Sequence, residues 1–559
     1  MTIDIINSIS ILELYREVWD RILKDNNNDI VFIELDWIIT WWHFHGESNK
    51  LHVIVILEGQ DIIGFCPFMI STGKINSELN FIGLTEASYM DFIIYDKYRE
   101  RAIKTVAQHL LDLDGSVIIN LHGFFEQSPN YKMLTDYLRL CKVNFLSADL
   151  KCYYTVIGEY KFDSYFKMRI GRRSRRTMNR KEKRLEKLGD IEYAPFDRRY
   201  IDDIFDLHDK RWLRKIGSSK FSQGATREFF RYLALNSGMT FKTSVDVVTF
   251  NDRIISFIYG FACGGRYIFY RIAHDDIFSI FSPGEIVFRK KIEECFGKGI
   301  SVFDFGAGEE PYKAFWADHM QSINTIIFPA SNPVSKAVFI KYYLLDKVKS
   351  TIKKNKFIVN FRKYKLGKIK YLLTREHICY TFGKLRHKAK YKDMICCIYS
   401  IFSGLFIKGS YYILENKLSN IACGSQNEFN AYEGDVNNID DLVYDAYEHP
   451  AGVLRRFLDG DRCLLLEKQN KIIDCLWLNA VYIDVPGLKF KRTIKEGDVF
   501  IYYSGQNTSM LISVLNFFYA KGYKSCFAAV NKMDIYTLWK LKRLGFNSKY
   551  SIKDNDNNA

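Results

Sequence analysis

The sequence predicts an α/β (α+β) protein built from tandem lobes, each a mixed, mostly antiparallel sheet flanked by helices. Three observations carry that prediction. Between Phe241 and Asp318, three β-rich runs precede a helix, a strand and another helix. The same broad order, meander then helix then strand, recurs upstream of residue 158, and strand–helix–strand order returns near the C-terminus. At 559 residues the chain is too long for one core.

In the central segment, runs at 247–250 and 254–261 flank Asn251-Asp252, and a third at 267–273 follows Gly264-Gly265. Asn/Asp and glycine turns between β-rich runs make an antiparallel meander. Ser282-Pro283-Gly284 opens a helix with apolar Ile286, Val287, Ile292 and Phe296, and Gly297-Lys298-Gly299 stops it. A buried strand is expected at 300–305, then a glycine turn, Gly306-Ala307-Gly308, into a second helix. The order requires one parallel crossover, because a parallel pair needs a helical connection.

Residues 1–158 read as a first lobe, with helices at 11–23, 35–44 and 102–113 and strands at 52–57, 62–68, 79–82, 89–93 and 117–121. Trp37, Trp41 and Trp42 suit core packing better than a sugar platform. Residues 159–330 form the second lobe. It opens with a basic helix across 171–189 that carries Arg172, Arg173 and Arg176. Arginine forks suit phosphate or carboxylate, with a solvated face as the alternative. No aromatic residue interleaves between Arg169 and Arg184, so stacking on nucleic acid is not indicated. Residues 331–425 read as a basic, lysine-rich helical linker; its lysines at 336–390 suit either an anionic membrane surface or packing on the lobes. Residues 426–559 form a last domain with helices at 439–446, 453–458, 508–519 and 535–544 and strands at 462–466, 472–482, 498–503 and 525–530.

The net charge of +15 admits nucleic acid, membrane or an anionic substrate. The twelve cysteines form no CxxC pair and no zinc-ligand spacing, which points to reduced thiols and no metal. Residues 1–10 lack a secretory pattern, and the apolar stretch 394–407 is too short to span a bilayer. The expectation is a cytoplasmic protein, with or without a peripheral place at the inner face of the membrane.

An ordered set of residues carries a family resemblance: Tyr270 and Asp275 ahead of Ser282-Pro283-Gly284, then Asp304-Phe305-Gly306 followed by Glu309, Tyr312-Lys313 and Trp316. With the basic helix and Lys210-Arg211-Trp212, it resembles bacterial GNAT-superfamily acyltransferases of the CelD-like type, associated with polysaccharide or cellulose, over roughly the first 330 residues. The chain end, a strand, Asn531, a helix and Leu544-Gly545-Phe546, is similar to the end of a GNAT domain. The glycine turn that cradles a pyrophosphate is replaced there by Ser504-Gly505-Gln506-Asn507-Thr508-Ser509, so this copy reads as degenerate.

The resemblance implies direct transfer from acetyl-CoA or another acyl-CoA, without metal, onto a small-molecule or glycan-precursor acceptor. Strands around Tyr270 and Asp304 would part to admit the acyl arm. Ser282, Gly284, Tyr270 and Lys313 are then the donor-binding candidates. Glu309, Glu310, Tyr312 and Asp304 are the catalytic ones, with either glutamate as base and His274 as a second candidate. Asp275, Arg172, Arg173, Arg176 and Trp316 are the acceptor-binding ones. Two further readings stand beside it: a FemABX-like transferase using aminoacyl-tRNA, the one nucleic acid expected, and a non-catalytic membrane-associated accessory of polysaccharide assembly.

Overall fold

The computed structural model describes the chain apart from residues 74, 84–85, 159–160, 223, 237, 355–370, 373, 375–376, 379, 385–409, 419–428, 485–490, 503–505, 507, 533 and 554–559. The chain divides into two compact units. One comprises Met1–Glu182, Ile191–Asp276 and Ser282–Tyr371, the other Lys183–Asp190, Ile277–Phe281 and Leu372–Ala559.

The first unit is organised on one thirteen-stranded sheet. Its strands are β1 (Thr2–Ile6), β2 (Asn49–Glu58), β3 (Asp61–Thr72), β4 (Ser77–Phe81), β5 (Ile93–Ile94), β6 (Val117–Phe125), β7 (Leu146–Val156), β8 (Ile191–Pro195), β9 (Lys242–Phe250), β10 (Arg253–Cys263), β11 (Arg266–His274), β12 (Val302–Ala307) and β13 (His319–Pro329). They lie in the order β1-β2-β3-β4-β6-β13-β7-β12-β11-β10-β9-β8, with β5 against β3. Asn251 and Asp252 make the expected tight turn, both left-handed at φ 46° and 65°. From β11 the chain passes through the crossover helix Pro283–Gly297 to the parallel strand β12. The first lobe repeats this step, from β4 through helix Arg99–Leu111 to the parallel β6.

The two lobes share strands. β7 pairs with β12 on one side and β13 on the other, and β13 returns from the end of the second lobe to lie between β6 and β7. Their core is continuous as well. Phe32 of the first lobe packs its ring against Trp37 and Tyr89, and against Phe261 and Tyr270 of the second. Trp37 and Trp41 are buried, in line with core packing. The strand expected at 89–93 shrinks to Ile93–Ile94, because the Met90 amide donates to Gly123 O and the Tyr89 hydroxyl to Asp304. The helix expected at 11–23 is broken into Ile9–Glu13 and Arg16–Asp25.

The second unit holds a seven-stranded sheet of β14 (Ser410–Lys417), β15 (Asn430–Gly434), β16 (Arg462–Lys468), β17 (Lys471–Asn479), β20 (Asp498–Tyr502), β21 (Ser525–Asn531) and β22 (Asn547–Lys553), in the order β15-β16-β17-β20-β21-β14-β22. Between them β18 (Tyr482–Asp484) and β19 (Lys491–Thr493) form a separate ribbon. β20 and β21 are parallel and joined by helix Thr508–Ala520. β14 begins upstream of residue 426, so this sheet draws on the segment expected to be linker. Of that linker the helix Pro333–Lys354 is described. The stretch 394–407 and the lysines within 355–370 and 385–390 lie outside the described residues. Among the described residues no helix is long and apolar enough to cross a membrane.

Candidate active site

The site begins where two parallel strands stop pairing. β11 and β12 are in register at Arg266/Val302, Tyr267/Phe303 and Ile268/Asp304, and no ladder pair follows although both strands continue. Asp304 produces the bend. Its Oδ1 accepts the Gly306 amide at 2.7 Å, and Gly306 takes a left-handed φ of 72° that a side chain would strain. The register of β12 against β7 slips at the same place, between Asp304 and Ala307. β11 has its own irregularity: Tyr270 is an extra residue in the pairing with β10, a β-bulge that re-aims neighbouring side chains. Beyond the bulge Ala273 O accepts Ser256 Oγ from β10, so by alternation Ile272 O faces the open edge. That carbonyl accepts Trp212 Nε1 at 3.4 Å.

The turn after β12 presents two glutamates in different settings. Glu309 is exposed and makes no hydrogen bond or ion pair among the described residues. Glu310 pairs with Lys313 Nζ at 3.1 Å. Lys313 is buried and also donates to Ala307 O at 2.7 Å, so it braces the glycine turn from inside. Tyr312 lays its ring on Phe269 and Phe288, facing β11 and the crossover helix, and remains 39% exposed. Burial pushes its phenol well above the ordinary range; Glu310 adds to this and Arg271 opposes it.

Several predicted site residues sit elsewhere. Asp304 is wholly buried and accepts from Tyr89 OH at 2.7 Å, Arg266 Nη1 at 3.0 Å and Cys152 Sγ at 3.3 Å. Its carboxylate faces inward and ties the lobes together. Tyr270 is also buried, its hydroxyl donating to Glu86 O of the first lobe at 3.0 Å and its ring packed on Phe230 and Phe261. Trp316 is buried against Phe166 and Phe288, and Asp275 is ion-paired to Arg253. Arg172, Arg173 and Arg176 are exposed on the arginine helix Arg172–Glu186.

That helix is anchored to the start of the crossover helix. Arg289 pairs with Glu182 and bonds Asn179 Oδ1 at 3.1 Å, while Lys181 Nζ reaches Ser282 Oγ at 2.8 Å. A Cβ at Gly284 would lie 2.9 Å from His274 Nδ1, so the helix start closes on that imidazole only because residue 284 has no side chain. Burial, then the Arg211 charge, bring His274 down to about 4. It is neutral near pH 7 and a weak base. Pro283 has no N–H and the Glu285 and Ile286 amides bond Ser282 O, so the Gly284 amide and Lys181 are what this helix start offers a phosphate group, whereas Glu285 in the same turn is buried enough for its pKa to rise. Among the described residues no cluster of His, Cys, Asp or Glu could hold a metal.

The structure thus sets Tyr312 on Phe269 beside the β11 bulge, with Glu309 and Glu310 on the turn just before it, and Ser282 and Gly284 at the start of the crossover helix. Arg271 and Trp212 join them without having been singled out as site residues. Arg271 was legible as a cation amid the apolar run 267–273. In the first lobe the matching gap is closed by its own chain, since Gly123 O on β6 is taken by the Met90 amide at 3.0 Å. In the second unit residues 504, 505 and 507 of the turn that would hold phosphate lie outside the described residues.

Residues 172–314, from the arginine helix to the turn after β12, match the family model described as an acetyltransferase (GNAT) domain. This segment is a GNAT acetyltransferase domain. The chain that carries it is an acyltransferase of GNAT type, and GNAT domains use acyl-CoA donors. Among solved structures it is similar to FemX (10% identity, 58% of this chain and 97% of that chain, TM-score 0.42). It is also similar to a tandem GNAT protein from the clavulanic acid biosynthesis pathway (7% identity, 59% and 99%, TM-score 0.36). A third is a conserved protein of unknown function from Bacteroides thetaiotaomicron (14% identity, 58% and 100%, TM-score 0.37). No curated protein matches the chain.

Proposed function

We propose that the GNAT domain moves an acetyl or other acyl group from acyl-CoA directly onto the amine of an amino sugar or another polysaccharide or cell-envelope precursor. The observation that carries this reading is the parting of β11 and β12 after three rungs inside the matched domain. An acyl-pantetheine arm adds to such an edge as an extra strand would. Lys181, Ser282 and the Gly284 amide at the start of the crossover helix take the pyrophosphate. Glu309, in water and unpaired, accepts the proton of the acceptor ammonium. The freed amine attacks the thioester carbon, the C–S bond breaks, Tyr312 gives its phenolic proton to the departing sulfur, and the second proton shed by the attacking nitrogen restores the phenol.

The CelD-like resemblance supports a glycan-precursor acceptor. Lys336 and Lys341, with exposed Val334, Ile340 and Leu344 on helix Pro333–Lys354, support a peripheral place on an anionic membrane. A second reading, transfer from aminoacyl-tRNA, is favoured by the exposed Arg172, Arg173 and Arg176. Calorimetry with acetyl-CoA separates these readings. Binding that disappears in Gly284→Glu supports acyl-CoA transfer. Binding of charged tRNA without acetyl-CoA binding supports the second, and neither leaves a non-catalytic accessory.

A further inference from the structure

The cleft contains a cation that no acidic residue balances. Arg271 stands three residues past the last β11/β12 rung, on the half of β11 that β12 has left. Its Nη1 donates to Tyr270 O at 2.8 Å and its guanidinium lies 4.2 Å from the centre of the Tyr270 ring. The charge reaches both sides of the sheet. It opposes the burial-driven rise of Tyr312 and, after burial itself, helps to hold His208 neutral.

Neighbouring arginines have carboxylate partners. Arg211 and Arg214 share Asp276, Arg253 has Asp275, Arg266 has Asp29 and Asp304, and Arg289 has Glu182. Arg271 has no ion pair among the described residues and is only half exposed. One backbone carbonyl and one ring face leave most of its donors unused. A partly desolvated guanidinium gains most when an anion meets it with a planar pair of oxygens.

We propose that Arg271 binds a carboxylate or phosphate carried by the acyl acceptor, which makes the acceptor an amine with an anionic group close by. This rests on the acyl-transfer reading given above. The donor's own phosphates are served by Lys181 and the start of the crossover helix, which adjoins His274 at the far end of β11. Arg271 lies on the ladder side of that point and shares its surroundings with Tyr312, where the thioester must sit. An anion held there positions the amine for attack and neutralises the guanidinium at the same time.

The test is calorimetric titration of the full chain with inorganic phosphate and with acetate, each with and without saturating CoA. The wild type, Arg271→Met, Arg271→Lys and Arg139→Met, an exposed arginine of the first lobe, are compared, with thermal melts to verify folding. One anion per chain is expected in the presence of CoA, weakened about tenfold or more in Arg271→Met, partly restored in Arg271→Lys and unchanged in Arg139→Met. Anion binding that is absent from the wild type, or indifferent to Arg271→Met, overturns the proposal. If Arg271→Met misfolds, the Lys variant decides: wild-type anion affinity with its fork removed counts against the site. Phosphate and acetate tell the two anion classes apart. The same titrations report CoA itself, so loss of CoA binding with an intact Arg271 anion site sinks the acyl-transfer reading alone.

Discussion

Glu309 and Glu310 are adjacent in sequence and opposite in circumstance: one meets water, the other is held by Lys313. Glu309→Gln is expected to slow turnover about 10²- to 10⁴-fold, the usual contribution of a general base, with donor affinity unchanged. Steady-state kinetics and calorimetry on one preparation check both halves, and an intact kcat would remove Glu309 from the mechanism. Asp304→Asn acts differently. It strips a buried partner from Arg266 and is expected to cost on the order of 3–5 kcal/mol, read as a lowered urea midpoint. The sequence made these carboxylates look alike, each beside a glycine turn. Burial is what separates them, and burial depends on Tyr89 and Arg266 arriving from other strands. That Glu309 and Tyr312 follow the end of a parallel strand was legible, and such an end is where an α/β sheet opens.

At the level of elements, the meander, the crossover helix and β12 were readable from turn residues and apolar runs. The bulge at Tyr270 was not, because it depends on how β10 and β11 align rather than on either strand alone. Nor was the diversion of Tyr89 and Met90 away from strand geometry, which serves Asp304 and Gly123. Gly306 is the hinge of the opening. Gly306→Ala places a methyl group 2.8 Å from Phe269 O at a left-handed φ. A loss of roughly 1–3 kcal/mol is expected, together with weaker acetyl-CoA binding. A variant as stable and as tight as the wild type would show that this bend does not shape the cleft.

Across the whole molecule, buried imidazoles set the response to acid. His52 and His274 are each held to about 4, chiefly by burial, against 6.5 when exposed. The unfolded chain therefore binds protons that the folded one refuses between those limits, and stability falls as pH drops from 6.5 towards 4. Melting temperatures across that window are expected to decline, and His52→Phe to flatten the curve. Strand sharing between the lobes gives another expectation. A fragment ending at residue 158 lacks β12 and β13, so β6 keeps only β4 and β7 has no partner. It is expected to aggregate or stay loosely packed, while a chain carried through β13 and the helix Pro333–Lys354 keeps this sheet intact. A sharp, cooperative melt of the short fragment would refute this. The sequence showed two similar lobes and could not show that one finishes the other, since strand order within a sheet leaves no local mark.

The placement of β13 also has a meaning in time. A ribosome delivers β6 and β7 early, then must translate everything from residue 157 to 318 before the strand between them emerges. At common elongation speeds that delay is on the order of ten seconds. During it the nascent N-terminal half waits with an open slot, exposed to chaperones and to neighbouring chains.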